Sequence, residues 1–250
     1  MNLLDLYDRQ MREEALPTPG VRVERPDGLV RLCGAYNVVL HSDLTASTAD
    51  AAIEAQVRRF ADAGERLEWK VHAHDRPADL SARLAARGFV PEPEETVMVA
   101  EAAAVAEEAV PAGLRVGPVE GPSGLDDFLA VSAQVFGDWT EGFRAELAVA
   151  AAEGTAALHV AYADGLPVGA GRLDLPPGKA FAGAFAGGVV PAHRRAGVYR
   201  ALVATRAAQA AAQGYRYLYA EALVTSRPIL AKLGFSPLAT VQGWTLEPHP

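Results

Sequence analysis

Arg194, Arg195, Gly197 and Arg200 fall within one short stretch, Val190-Pro-Ala-His-Arg-Arg-Ala-Gly-Val-Tyr-Arg. An apolar, glycine-interrupted run from Ala180 to Val190 leads into it, and an alanine-rich helical pattern follows without a break. A basic, glycine-containing turn between a strand and a helix can hold a polyphosphate. The first N–H groups of a helix have no intrahelical partner, and the helix dipole adds positive potential at that end. Gly197 lets the backbone come close to phosphates, and the arginines supply charge. The cluster His193, Arg194, Arg195, Arg200 and Arg206 runs against a net charge of -8, so it is a local feature and no part of a generally basic surface.

The elements that must position this turn read as one α/β unit. Leu114 to Val116 is strand-like, and Gly124 to Phe136 and Glu141 to Ala152 carry helical periodicity, with Ser123 as a cap for the first. Ala157 to Ala163 and Val168 to Leu173 form a hairpin pattern around Asp164-Gly165. Phe181 to Val190 is the next strand, and Gly187-Gly188 predicts a bulge or a close approach within it. A helix over Gly197 to Gln213 stops at Gly214. A strand (Tyr217 to Ala222), a short helix (Arg227 to Leu233) and a last strand near Leu238 to Leu246 complete the order.

The first part of the chain echoes the last. Gly64, a strand at Leu67 to His72, Arg76-Pro77, a helix at Ala78 to Arg87 and Gly88-Phe89 parallel Gly214, a strand, Arg227-Pro228, a helix and Gly234-Phe235. A helix over Ala51 to Ala63 precedes the earlier copy, and a strand over Glu95 to Ala100 follows it. A repeat of this length suggests duplication. Glu101 to Pro111, rich in Ala and Glu, reads as the linker.

The turn resembles the acetyl-CoA pyrophosphate loop of the GNAT superfamily of N-acetyltransferases, patterned Arg/Gln-x-x-Gly-x-Gly/Ala. Arg194 and Gly197 meet the pattern, while Tyr199 stands where a small residue is usual. The order β, α, α, β, β, β, α, β, α, β from about Ala112 to Pro248 matches the same fold, so the resemblance covers over half of the chain. It implies an α/β chain with a tandem GNAT (acyl-CoA N-acyltransferase) fold, mixed central sheets flanked by helices. Residues 1-105 would be a degenerate GNAT-like domain and 112-250 the acetyl-CoA-binding one. Where the first copy should carry a phosphate loop it has Ser42-Asp43-Leu44-Thr45-Ala46-Ser47, without glycine, and Asp43 and Asp50 would repel phosphates.

What the resemblance implies for chemistry can be placed residue by residue. Gly188, Val189, Val190, Arg194, Arg195, Ala196, Gly197, Val198, Tyr199 and Arg200 would hold acetyl-CoA, the pantetheine lying along Phe181 to Val190 like an added strand. N–H groups near Gly188 to Val190 would polarise the thioester carbonyl. Glu221, at a strand end, would act as general base through water, with Asp174 and Asp138 as alternatives. The family's leaving-group acid is a tyrosine four residues before Gly-Phe, and Leu230 stands there. Thr225 and Ser226 could bond the sulfur or a water instead, with Tyr199 and Tyr219 further off. Acetyl would pass directly to an amine-bearing substrate in a ternary complex, where holding both reactants lowers the barrier by roughly 7–11 kcal/mol. Phe136 to Gly142 and Pro176 to Lys179 would shape the acceptor side. The alternatives are a catalytically inactive acyl-CoA-binding or regulatory module and a structural interaction protein.

Plainer readings stand beside each of these. Ser226 is also a natural helix N-cap, Glu221 a strand-end surface carboxylate, and Tyr215, Tyr217 and Tyr219 a packing alternation. His72 and His74 lie near Trp69 with no third ligand, so they read as structural, and no metal is expected. Cys33 is the single cysteine, which excludes an intramolecular disulfide. Gly169-Ala-Gly171 lacks the rest of a dinucleotide fingerprint, and neither a Walker sequence nor a Gly-x-Ser-x-Gly elbow occurs. The acidic balance argues against nucleic acid, and no run approaches membrane-spanning length. The expectation is a cytoplasmic monomer or homodimer that acts without nucleic acid or membrane.

Overall fold

Strands and helices are interspersed along the chain, with runs of three strands in each half, and the computed structural model describes residues 2–26, 28–105, 110–137 and 141–248. Among these, the strands are Val21–Glu24 (β1), Leu29–Gly34 (β2), Val38–Ser42 (β3), Leu67–His72 (β4), Val90–Pro91 (β5), Glu95–Glu101 (β6), Leu114–Pro118 (β7), Ala156–Ala163 (β8), Leu166–Asp174 (β9), Phe181–Val189 (β10), Tyr217–Ala222 (β11) and Ser236–Leu246 (β12). The helices are Leu3–Tyr7 (α1), Ala49–Ala63 (α2), Leu80–Ala85 (α3), Ala102–Val105 (α4), Gly121–Phe136 (α5), Glu141–Glu153 (α6), Val198–Ala212 (α7) and Arg227–Lys232 (α8). By contacts the chain divides into Met1–Val97 with Leu238–Pro250, and Met98–Pro237. The segment Leu238–Pro250 is thus grouped with the first unit, whereas the sequence reading keeps it with the second.

In the first unit β1, β2 and β3 form an antiparallel meander, β3 runs parallel to β4, and β12 lies antiparallel against β4. An Asn2–Asp5 capping box opens α1, which continues as a π-helical turn over Asp8–Glu13. α2 turns Ala49, Ile53, Gln56 and Phe60 inward, the helical spacing of one buried face, onto Leu29, Val39, Leu67 and Trp69.

The second unit orders its strands β7-β8-β9-β10-β11, antiparallel as far as β10 and then parallel to β11. Asp164 and Gly165, both at positive φ, turn β8 into β9 as the dipeptide predicted. α5 starts earlier than expected: Glu120 is its N-cap, Pro122 sits in the first turn, and Ser123 lies inside the helix instead of capping it. α7 buries Ala201, Ala204, Ala207 and Ala210, small side chains that let it pack closely on the sheet. The expected linker is in part core. Ala102 and Val105 of α4 are buried in one cluster with Val203, Ala207 and Ala210.

Candidate functional site

β10 and β11 pair only from Phe181–Tyr217 to Gly183–Tyr219, although β10 runs on to Val189 and β11 to Ala222. Two parallel strands that stop pairing while both continue leave an edge of backbone groups facing a gap. Phe185 and Tyr219 meet edge to face where the pairing ends, their ring centroids 5.4 Å apart. On its other side β10 carries the bulge expected at Gly187-Gly188. Phe185 faces Arg172 and Gly188 faces Ala170, so Ala186 and Gly187 together oppose Gly171. Ala186 takes a positive φ of 47° to do this.

The bulge fixes which groups face the gap. The Val190 N–H donates to Val168 O at 3.0 Å, so by antiparallel alternation the N–H and C=O of Val189 point the other way, toward β11. Of the three amides expected near a carbonyl, Val190 is therefore committed to β9, and Val189 faces the gap. Arg194 Nε donates to Val189 O at 3.2 Å, folding its side chain along that edge. Gly188 lies under the end of α5, where an added Cβ would come within 2.8 Å of Val135 and 3.0 Å of Phe136.

Beyond β10 the chain makes a 3-10 turn at Pro191–His193 and enters α7 through Gly197. Arg195 and Gly197 are both left-handed, at φ 66° and 80°, and alternation of this kind turns successive N–H groups to one side. Gly197, as N-cap, offers no side chain to the first helical turn, and the first helical bond is Ala201 N–H to Gly197 O. Arg194, Arg195, Ala196 and Arg200 are exposed, whereas Val198 is buried against Val189 and Val190. Gly197 is needed twice, for its φ and because a Cβ would meet Pro111 at 2.8 Å. Tyr199 turns inward. Its ring lies 3.1 Å from where a Gly187 Cβ would be, so a large residue at this position adds no bulk to the loop surface. Arg206 is likewise no part of the loop, being 1% exposed behind the bulge.

In structure the chain is similar to a GCN5-related N-acetyltransferase from Kribbella flavida, with a TM-score of 0.70 and 18% identity over 93% of this chain and 91% of that one. It is similar to a functionally unknown conserved protein from Staphylococcus epidermidis at 0.73 and 13%, covering 99% and 100%. A tandem GNAT protein from the clavulanic acid biosynthesis pathway gives 0.62 and 18%, covering 94% and 86%. No protein-family model matches the chain, and no curated protein matches it in sequence. The chain has the GNAT fold.

Within this GNAT fold the expected catalytic residues fall in different surroundings. Glu221 shares a sheet face with Tyr217 and Tyr219 by strand alternation. The opposite face of β11, Leu218, Ala220 and Ala222, is in the core with Leu230. Leu230, where a tyrosine was expected, is thus an interior residue on the other side of the sheet from Glu221. Thr225 is exposed in the turn after β11, and the Ser226 hydroxyl donates back to Leu223 O at 3.2 Å. Ser226 is the N-cap of α8 but makes no side-chain capping bond. Asp174 is held by Arg172, which also takes both oxygens of buried Glu146, so its carboxylate is part of a structural ion cluster. Asp138 lies outside the described residues.

The equivalent place in the first unit is filled from within. β3 and β4 pair only at Val38–Glu68 and Val39–Trp69, and Leu40 is an extra residue opposite β2. Arg12 spans the opening: its Nε donates to Leu40 O at 3.1 Å and its Nη2 to both oxygens of Asp75 at 2.7 and 2.6 Å. Asp8 bonds Arg12 and His74, each at 2.8 Å. At the entrance to α2, hydroxyls of Thr45, Ser47 and Thr48 bond one another, and Asp50 pairs with Arg83. His72 and His74 belong to this cluster, and among the described residues no group of three His, Cys, Asp or Glu is placed to hold a metal. Sequence reasoning missed Arg12, which no motif or spacing in the chain singles out. No helix among the described residues is long and apolar enough to cross a membrane.

Proposed function

We propose that the second unit binds acetyl-CoA along the open edge of β10 and at the turn into α7, and that the chain transfers the acetyl group to an amine. The observation that carries this is the continuity of two features: the outward-facing Val189 amide and the uncapped start of α7, joined by the left-handed turn at Arg195 and Gly197. A pantetheine amide could pair with the edge as an added strand does, and the diphosphate could accept from the N–H groups at Ala196 to Arg200, with Arg195 and Arg200 beside it. The Val189 N–H, and with it the region from Gly188 to Val190, would then sit by the thioester carbonyl. Glu221 would take the amine proton through a water. The new C–N bond forms as the C–S bond breaks, and the thiolate leaves with a proton delivered from solvent or through Thr225 or Ser226. The first unit is the degenerate partner of a tandem pair, its opening occupied by Arg12.

A second reading has its own support. Leu230 is core, and the Ser226 hydroxyl is turned to Leu223 O, so neither the family's tyrosine position nor the Ser226 hydroxyl offers a proton to the sulfur. An acyl-CoA-binding module without catalysis fits that arrangement. Calorimetric titration of acetyl-CoA into the wild type and an Arg195→Glu/Arg200→Glu variant tests both readings. Micromolar binding lost in the variant is the expected result, and no binding by the wild type overturns it. Thiol release with a panel of amines then separates the transferase from the binder. Charge reversal is the cleaner probe, because any side chain at Gly197 also disturbs its φ and Pro111.

A further inference from the structure

Arg206 is the most completely buried arginine of the second unit, yet no carboxylate among the described residues pairs with it. Its Nε donates to Leu202 O at 3.1 Å, and its Nη1 to Arg172 O at 3.0 Å and Phe185 O at 3.2 Å. Those carbonyls belong to α7, β9 and the residue of β10 just before the bulge. Two glycines make room for the guanidinium. A Cβ on Gly171 would lie 2.9 Å from Cζ, and one on Gly187 would lie 3.1 Å from Nη2. Three positions on three elements are therefore built around one buried cation. A cation without a counter-ion is a costly way to fill a core, and an apolar side chain would fill the same volume. The elements give the charge a use. It lies directly behind Gly187, in the bulge whose next outward-facing amide is Val189.

We propose that Arg206 is a positioning residue that braces the β10 bulge and sets a fixed positive charge behind the edge where the acyl carbonyl binds. The inference rests on the acetyl-CoA reading of the same site. Negative charge develops on the carbonyl oxygen as the amine attacks, and a fixed cation in a water-poor interior favours that charge without reorganising. The brace to Phe185 O and Arg172 O holds Ala186 and Gly187 in the bulged conformation, so that the Val189 amide keeps its aim. Binding of the nucleotide and diphosphate, at the far end of the loop, does not involve Arg206.

The test is the carbonyl stretch of [1-13C]acetyl-CoA bound to the wild type, Arg206→Met, Arg206→Lys and Gly187→Ala proteins, read by isotope-edited infrared difference spectra alongside calorimetry. In the wild type the bound carbonyl is expected at lower wavenumber than in free acetyl-CoA. The Met variant loses most of that shift and the Lys variant keeps part of it, while affinity stays within about threefold because ground-state contacts elsewhere dominate it. A role in stability alone would lower the melting temperature without moving the carbonyl band. If Arg206→Met does not fold, Gly187→Ala decides, since its Cβ presses on the guanidinium as well as on the Tyr199 ring, each at 3.1 Å, and should shrink the shift. A wild-type complex with an unshifted carbonyl, or a variant that keeps the full shift, overturns the proposal. Failure of the wild type to bind overturns the acetyl-CoA reading itself, and this inference with it.

Discussion

The openings between β3 and β4 and between β10 and β11 are built alike and completed differently. In each, two parallel strands pair for two or three residues and then part, and the strand on the meander side carries a bulge near the parting. In each, one buried arginine donates to a carbonyl at the bulge, Arg12 to Leu40 and Arg206 to Phe185. Arg12 comes from the N-terminal segment, crosses the opening and ends on Asp75 and Asp8. Arg206 comes from the helix behind the sheet and ends on carbonyls alone. The first arrangement closes an edge and neutralises its charge. The second leaves the Val189 N–H on an edge where only Arg194 reaches the Val189 carbonyl, and among the described residues no carboxylate pairs with the charge. On the acetyl-CoA reading, one fold would be made inert or receptive by the direction from which a single cation reaches its bulge.

The largest expected effect separates the two arginines by what each leaves behind. Arg12→Met would leave the buried Asp75 carboxylate with the His72 N–H in place of its bidentate guanidinium and would leave half-buried Asp8 with His74, and should cost about 3–5 kcal/mol of stability. Arg206→Met strands only carbonyls, so its cost should stay below about 3 kcal/mol. Urea melts of both variants check this, and equal losses would break the contrast.

Each arginine also sits beside a buried histidine, which makes the comparison readable by pH. Burial first, and then the charge of Arg12, hold the His72 imidazole well below its ordinary range. Burial first, and then the charge of Arg206, push His159 down to about 4, against a hydrogen bond to Gln209 that raises it. The unfolded chain takes up a proton at His159 near pH 6.5, and the folded chain does so only near 4. Stability is therefore full above about 6.5 and falls as pH drops toward 4, by at most about 3 kcal/mol for this residue. His159→Leu should flatten the slope of stability against pH across that window, measured by thermal melts from pH 7 to 4. An unchanged slope would mean that His159 is already charged in the fold.

Much of the second opening was legible in the sequence because its parts are local. Gly187-Gly188 announced a bulge, Gly197 and Gly214 bracketed α7, and β11 fell on the predicted residues Tyr217 to Ala222. The GNAT fold followed from that order. The meander β1-β2-β3 went unseen, since Arg31 lies buried in the middle of β2 and breaks its apolar pattern. The place of Arg206 could not be read either. An arginine in an alanine-rich helix looks like a surface residue until the register shows Gly171 and Gly187 on either side of it. Leu230 reads as a lost tyrosine in sequence and as a core residue in structure, a distinction that needs the facing strand.

Charge at the helix entrances should discriminate next. Replacing Arg195 and Arg200 by Glu should weaken acetyl-CoA by roughly 10–100-fold, about 1.4–2.8 kcal/mol, since two charge-assisted contacts become repulsive. Asp50→Lys, at the corresponding start of α2, should leave affinity unchanged, because its ion pair with Arg83 serves only the first unit. Loss of binding in the Asp50 variant, by calorimetry, would mean that the first opening is not inert.

The smallest effect is the sharpest in sign. Among the described residues only Asp164, Ala186 and Arg195 hold a positive φ without being glycine, and Ala186 is the bulge residue of β10. A left-handed alanine costs about 1–2 kcal/mol, and glycine gives back about 0.5–1 through its greater freedom in the unfolded chain. Ala186→Gly should therefore stabilise the chain slightly, by up to about 1 kcal/mol. Leu40, the extra residue of the β3 bulge, is not left-handed, and its side chain packs on Val21, Val30 and Leu32. Leu40→Gly gains nothing at its φ and loses that packing, so it should destabilise by more than about 1 kcal/mol. Opposite signs in paired urea melts would show that the bulge of β10 is held in a strained form that the bulge of β3 does without. A conformation kept at a cost in stability is expected where a backbone amide has to be aimed, and it has no purpose where the edge is already closed.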